Sequence, residues 1–224
     1  MTLLAIDCSA NLCAACIYDA KAGKEFGRSV LDLGKGHAEH LMGVIAAAMG
    51  QAGQTYADLD AVAVSVGPGS FTGLRVGVAT VRGLALALKI PAIGVTTLEA
   101  LATEARQSFP DRRVFAALDG GRGEIHAALY DELAVLRYGP AVTTLEEAVA
   151  MVADRAIILA GNAAGRIAEA AGGSFDFGPL GATADIAVYA RLAAGKEPGE
   201  KPKPLYLRDA DAKPQAGFVL PRSR

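Results

Sequence analysis

Apolar and polar positions along this chain alternate in one order of strands and helices that occurs twice. Residues 3–7 form a continuous apolar run ending in Asp7, the pattern of a strand buried on both faces. Residues 14–19 form a second strand after a short turn, and residues 25–30 a weaker third. Residues 37–49 place Leu41, Met42, Val44, Ile45 and Met49 at helical spacing. A strand at 61–66 leads into a long apolar stretch, 71–88, that reads as a buried helix. A strand at 92–95 follows Pro91, and a helix is predicted at 98–107. The second half repeats this order. Residues 114–119 again end in Asp, and the strand at 124–130 runs into Leu-Tyr-Asp where the earlier one ends Ile-Tyr-Asp. A short strand at 135–138 precedes a helix at 145–153 and a strand at 156–159. A helix at 163–171, a weak strand at 174–177 and a helix at 185–194 complete it. Both halves read βββαβαβα.

An internal duplication of this unit is the plan of the actin-like ATPase superfamily, to which sugar kinases and Hsp70 chaperones belong. By that resemblance of element order, an α/β fold of two similar halves is expected. The turn Ser108-Phe109-Pro110-Asp111 divides them, giving a first half at 1–108, a second at 109–208 and a tail at 209–224. Residues 198–224 hold five of the ten prolines, so the end of the chain is expected to be extended, surface-bound and flexible at its tip.

Composition narrows the function classes. The 224 residues are 52% hydrophobic and 21% charged, an ordinary balance for a soluble globular protein with a sizeable core. The net charge of -2 and pI near 5.9 exclude a broad basic surface, and with it strong salt-sensitive nucleic-acid binding by this chain alone. The first residues carry no charged n-region and meet Asp7 at once, which argues against a signal peptide. Arg75 and Arg82 interrupt the apolar run at 71–88 and argue against a membrane span, so the cytoplasm is the expected location. Cys8, Cys13 and Cys16 have the C-x4-C-x2-C spacing that opens a plant-type ferredoxin cluster, but there is no fourth cysteine. Cys13 and Cys16, three apart in a strand, face opposite sides of it. They are read as buried structural thiols.

The block Gly67-Pro68-Gly69-Ser70-Phe71-Thr72-Gly73-Leu74-Arg75-Val76-Gly77 joins a strand to a helix, as phosphate-binding turns do. Counting removes that reading. A P-loop needs G-x-x-x-x-G-K-[ST], and the second Gly position falls on Thr72 or Leu74 with no Lys after either. A dinucleotide fingerprint needs its third Gly one position before Gly73. What remains is a turn and a helix face of small residues. Gly73 and Gly77 are four apart and share a face, and Ala79, Gly83 and Ala87 are expected to prolong it. Such a face admits another helix at close range.

Ala5-Ile6-Asp7-Cys8-Ser9, the block from Val64 to Gly77, and Pro204-Leu205-Tyr206-Leu207-Arg208 together resemble the bacterial TsaB family, also called YeaZ. The resemblance spans nearly the whole chain. It implies a non-catalytic subunit of the machinery that makes N6-threonylcarbamoyladenosine beside the anticodon of tRNA. In that family the subunit pairs with a homologous catalytic protein, TsaD, and a small ATPase, TsaE, joins the pair. The implied partners are therefore a TsaD-like homologue and a TsaE-like ATPase, with tRNA met only through the complex and a homodimer when the chain is alone. No cofactor is expected to bind the isolated chain tightly, and ATP is used by the assembled complex. The implied partner face is helix against helix: His37, Leu41 and Ile45 on one helix, with Gly69, Ser70, Phe71, Thr72, Gly73, Arg75, Val76, Gly77 and Thr80 on the next. The family turn Asp-Ala-Arg-Arg-Gly-Glu-Val-Tyr stands here as Asp119-Gly120-Gly121-Arg122-Gly123-Glu124-Ile125-His126 and keeps Asp119, Arg122 and Glu124.

Residues for chemistry are sparse. The catalytic relative carries a His-x-x-x-His pair where this chain has Thr97 and Leu101, which removes that metal site. His37 and His40 lie three apart at a helix end without a third ligand, and His126 lies in the other half. Asp7 and Ser9, with Asp119, Arg122 and Glu124, could outline a vestigial nucleotide cleft, although Asp7-Cys8-Ser9-Ala10-Asn11 lacks glycine. No Ser-His-Asp, Cys-His or H-E-x-x-H set is present. The rival readings are an ATP-dependent kinase-like phosphotransferase, a metallopeptidase of the same superfamily, and a tRNA-binding module resting on Arg122, Arg208 and Lys213.

Overall fold

Residues 3–6 have no solvent exposure because β1 (Thr2–Asp7) is the middle strand of a five-stranded sheet. The computed structural model describes residues 1–207, so the expected tail at 209–224, and Arg208 and Lys213, lie outside the described residues. After β1 come β2 (Leu12–Asp19), β3 (Lys24–Asp32), α1 (His37–Ala52), β4 (Ala61–Gly67), α2 (Phe71–Leu88), β5 (Ala92–Thr96) and α3 (Thr97–Ala105). The second half runs β6 (Val114–Gly121), β7 (Glu124–Tyr130), β8 (Leu136–Thr143), α4 (Leu145–Met151), β9 (Ile158–Ala160), α5 (Ala164–Ala171), β10 (Asp176–Phe177) and α6 (Ile186–Ala194). The sheets have the orders β3-β2-β1-β4-β5 and β10-β9-β6-β7-β8, the same arrangement read from opposite edges. In each, the first three strands form an antiparallel meander, the fourth pairs parallel with the first and the fifth parallel with the fourth. This is the doubled βββαβαβα plan of the actin-like fold.

The alternation of side chains along each strand sorts them into layers. Leu3 and Ala5 of β1 enter a central core with Val114, Ala116 and Tyr189. Leu4 and Ile6, between them, enter an outer core covered by α1 and α2. Phe115 and Ala117 of β6 face a third core beneath α4 and α5. Helices α3 and α6 fill the centre crosswise: α6, from the second half, packs on β1 and β2, while α3, from the first, packs on β6. Cys16 lies in the central core and Cys13 in the outer one, on opposite faces of β2 as their spacing requires.

Two strands are longer than their apolar content suggests. β3 and β8 are edge strands whose exposed residues hide them from a hydrophobic pattern, yet β3 stays in register with β2 as far as Leu12↔Asp32. The expectation that 71–88 is a buried helix is corrected. Only Gly73, Leu74, Gly77, Val78 and Val81 of α2 are buried, because the helix lies on the outside of the first sheet.

Candidate functional site

The glycines at the start of α2 are used inside the chain. The Ser70 amide donates to the Ser9 carbonyl at 2.7 Å, and the Ser70 hydroxyl caps the helix by accepting from the Gly73 amide at 3.3 Å. This hangs the helix end directly on the turn after β1. A Cβ at Gly69 would stand 2.2 Å from the Ser9 carbonyl oxygen, and one at Gly73 only 1.9 Å from that of Cys8. At Gly77 it would press Val64 at 3.3 Å. Gly73 and Gly77 therefore let α2 approach its own sheet, and their place in a partner-facing surface is corrected. The same holds for α1. Leu41 is 1% and Ile45 0% exposed, both in the outer core, and His37 is buried with Nε2 3.2 Å from the Leu12 carbonyl oxygen. The bulkiest apolar stripe of an amphipathic helix goes to its own core first.

The open faces lie one step around each helix. On α1 they comprise Ala38, Met42, Gly43, Ala46, Ala47 and Gly50. On α2 they comprise Phe71, Thr72, Arg75, Ala79, Arg82, Gly83, Leu86 and Ala87, with Val76 and Thr80 half-buried at the margin. Gly83 stands six residues from Gly77, about 120° away around the helix, so it cannot prolong the inner face. Cβ atoms at Gly43, Gly50 and Gly83 would meet nothing within 4 Å. Leu86 is 77% exposed and Met42 51%. The two helices touch over the first sheet, so their exposed small residues lie on neighbouring faces, with Glu39, His40 and Arg82 exposed beside them. α2 is long and apolar enough to suit a membrane span by length and composition. Its Leu74, Val78 and Val81 instead sit in the outer core, and its open face carries Arg75 and Arg82.

At the N-terminal end of this surface the Arg75 guanidinium stacks on the Phe71 ring at 3.7 Å. Its Nε donates to the Tyr206 hydroxyl at 2.8 Å, and the Phe71 and Tyr206 rings stand 5.0 Å apart. Tyr206 arrives there because the returning chain pairs with β4, the Leu205 amide donating to the Val66 carbonyl at 2.7 Å. The sequence marks Tyr206 only through the family resemblance, because the contact that joins it to α2 spans 131 positions. At the other end of α2 a cavity of about 560 Å³ opens between Arg82, Leu86, Lys89 and Lys201.

The second candidate site is the cleft between the halves. A cavity of about 370 Å³ is lined by Ser9, Asn11, Ser70, Asp119, His126 and Asn162, among others. Asp7 lies beneath it and is 1% exposed. Its Oδ1 accepts from the Ser9 amide at 2.8 Å and its Oδ2 from the Thr183 hydroxyl at 2.6 Å. The Thr183 oxygen in turn lies 2.7 Å from the Tyr189 hydroxyl. Both carboxylate oxygens are thus taken by the protein, and burial raises the Asp7 pKa above its ordinary value. Asp119 is exposed, but its Oδ1 accepts from the Gly121 amide at 2.9 Å and its Oδ2 faces Arg166 at 3.9 Å. Arg122 and Gly123, both at positive φ, make the two-residue hairpin turn between β6 and β7. Neither Arg122 nor Glu124 lines the cavity, so of the five cleft residues only Ser9 and Asp119 do. The Thr97 hydroxyl is 3.2 Å from that of Ser65, and Leu101 is wholly buried. Among the described residues no group of three or more His, Cys, Asp or Glu side chains is placed to hold a metal.

Comparison with known proteins gives a consistent picture. The sequence model of the family described as "TsaD: tRNA N6-adenosine threonylcarbamoyltransferase" matches residues 32–194. The tRNA threonylcarbamoyladenosine biosynthesis protein TsaB of Escherichia coli (strain K12) is 33% identical over 131 residues, 58% of this chain and 55% of that protein. The match thus spans about half the length of that curated relative. A protein of Mycobacterium tuberculosis (strain ATCC 25618 / H37Rv), described only as uncharacterized, is 34% identical over 226 residues, 96% of this chain and 95% of its own length. In structure, a Pseudomonas aeruginosa protein described as similar to peptidase YEAZ superposes with a TM-score of 0.76 at 25% identity, covering 92% of this chain and 99% of that one. YeaZ from Pseudomonas aeruginosa gives 0.71 at 28% identity, with 86% and 90% covered.

Proposed function

The chain belongs to the TsaB/YeaZ family, which shares its domain with the threonylcarbamoyltransferase TsaD, and from that premise we propose that it is a non-catalytic subunit in the formation of N6-threonylcarbamoyladenosine on tRNA. It acts by docking the open faces of α1 and α2 on the matching helices of a TsaD-like homologue. The observation that carries this reading is the small-residue surface around Gly43 and Gly83, where added side chains meet only solvent. An apolar face of that kind on two adjacent helices calls for cover. Small side chains let a second helix pair approach to about 8–10 Å between axes. Phe71, Arg75 and Tyr206 supply the aromatic and arginine anchor typical of interface hot spots. The engaged carboxylate of Asp7 supports the absence of chemistry in this chain. Recruitment of a TsaE-like ATPase, self-pairing through the same face when the partner is missing, and a cytoplasmic setting belong to the same proposal, as does the division of the chain at residue 108.

The test is reconstitution with the TsaD-like homologue of the same organism. Wild-type chain forms a 1:1 complex and restores tRNA modification that the homologue lacks alone. Gly83→Trp keeps its thermal midpoint and loses roughly hundredfold in affinity, because a large ring on an open helix face holds the helices apart. If Gly83→Trp pairs like wild type, the docking face is misplaced. If modification proceeds fully without this chain, its role is wrong. Micromolar binding and turnover of Mg-ATP by the isolated chain would favour the phosphotransferase reading instead.

A further inference from the structure

Two thiols meet beneath the turn that joins β1 to β2. In the antiparallel register Asp7 lies opposite Ala14, so the next positions outward, Cys8 and Cys13, oppose one another. Directly opposed residues stand about 4.5–5.5 Å apart at Cα, within the span that a disulfide bridges. The two Sγ atoms are 4.0 Å apart and share an S–H···S hydrogen bond. Both side chains belong to the outer core, while Cys16 projects into the central core through the other face of the sheet. Cys16 is therefore an internal control that geometry keeps away from the pair. Both thiols are buried, Cys8 at 2% and Cys13 at 0% exposure, beneath a turn whose Ala10 and Asn11 border the cleft. We propose that Cys8 and Cys13 are a redox site, a dithiol that closes to a reversible disulfide on exposure to a peroxide.

The hydrogen bond between the two thiols works in opposite directions on them. It holds Cys13 below the ordinary thiol range, and with burial it pushes Cys8 far above it. Cys13 is thus the first to give up its proton. Its thiolate attacks one peroxide oxygen, the O–O bond breaks, and a sulfenic acid forms as hydroxide leaves. That hydroxide takes the Cys8 proton and becomes water. The Cys8 thiolate then attacks the Cys13 sulfur, the S–S bond forms, and the sulfenic hydroxyl departs with the proton Cys13 first released, as a second water. Two thiols lose two electrons and the peroxide gains them. Closure draws the sulfurs from 4.0 Å to about 2.05 Å. Of the two, Cys8 also carries the carbonyl against which Gly73 of α2 is seated.

The test uses the full chain in native buffer. Reduced protein is treated with hydrogen peroxide, quenched, alkylated in denaturant and weighed intact. The expected result is a loss of about 2 Da, reversal by dithiothreitol, and a single alkyl group among the three cysteines, which fragmentation of the 1–21 peptide places on Cys16. Cys16→Ala leaves the mass loss in place and Cys8→Ser abolishes it; the peptide map of the unaltered chain decides the matter if Cys8→Ser fails to fold. Three alkylatable thiols after treatment, an alkyl group on Cys8 or Cys13 with Cys16 bridged, or sulfinic acid at Cys13 without a cross-link would each overturn the proposal.

Discussion

Alanine at Gly73 and alanine at Gly83 are chemically the same change in the same helix, and the structure gives them opposite signs. At Gly73 the new Cβ would lie 1.9 Å from the Cys8 carbonyl oxygen, so helix and turn must separate by more than an ångström. That separation strains the Ser70 amide bond to Ser9 at 2.7 Å and the Ser70 cap at 3.3 Å. Overpacking of this kind costs about 1–3 kcal/mol, and a weakened cap costs about 1 kcal/mol more. The better helix propensity of alanine returns about 0.5–1 kcal/mol, leaving a net loss near 2–3 kcal/mol. At Gly83 nothing lies within 4 Å, so only the propensity gain remains. For a chain of this size each kcal/mol moves the thermal midpoint by about 2–4 °C. Gly73→Ala should therefore melt roughly 4–12 °C below wild type and Gly83→Ala about 1–4 °C above it. Calorimetry gives the midpoints, and urea unfolding followed by circular dichroism checks that the slope is unchanged. A Gly73→Ala protein as stable as wild type would refute the inward placement of that face. So would a Gly83→Ala protein destabilised by more than about 1 kcal/mol.

Other outcomes follow from the same contacts. Phe71→Ala should cut affinity for the TsaD-like partner by roughly tenfold or more with little change in stability, since Phe71 is 43% exposed and anchors the Arg75 stack; calorimetric titration showing unchanged affinity would remove it from the interface. Asp185→Ala removes the α6 cap on the Ala187 amide at 2.9 Å and the paired bonds from Arg28 at 2.6 and 2.9 Å. Its unfolding free energy from urea titration should fall by about 1–2 kcal/mol, the ion-pair share being small at this exposure. Asp7 has a raised pKa in the folded chain, so its contribution to stability is full below the unfolded pKa of about 3.8 and is lost as pH rises through the folded value. Asp7→Asn has no such loss and should gain on wild type as pH climbs above about 4; parallel pH profiles of the two proteins would contradict a buried ionisable Asp7.

Much of the fold was legible because its signals are local. A run such as Leu3 to Ile6, unbroken by polar residues, announces a strand with both faces buried, and its repetition at 114–118 announces the second sheet. Edge strands gave a weaker signal because half of β3 faces water, and only pairing with β2 shows how far it extends. The helices α1 and α2 were legible, but the phase of their faces was not. Leu41, Ile45, Gly73 and Gly77 drew attention by size or spacing, and all four turned inward. A signal for the phase was present: Leu74, Val78 and Val81 mark the direction of the core, and Gly83 falls about half a turn from it.

The closing of the cleft was beyond any local pattern. Asp7 ends β1 and Asp119 stands two residues before the end of β6, and the glycines that follow Asp119 alone do not foretell which acid is sealed. What separates them is Thr183, 176 positions from Asp7, whose hydroxyl occupies one carboxylate oxygen while Tyr189 backs it from α6. α6 reaches that place because it packs on the sheet of the opposite half, a crossing that only the tertiary fold reveals. Asp119 instead faces Arg166 of α5 at 3.9 Å and stays exposed. The duplicated halves thus diverge near the ends of their first strands: one acid is sealed into the core and the other holds its own hairpin turn, while exposed apolar residues lie on α1 and α2, outside the first sheet.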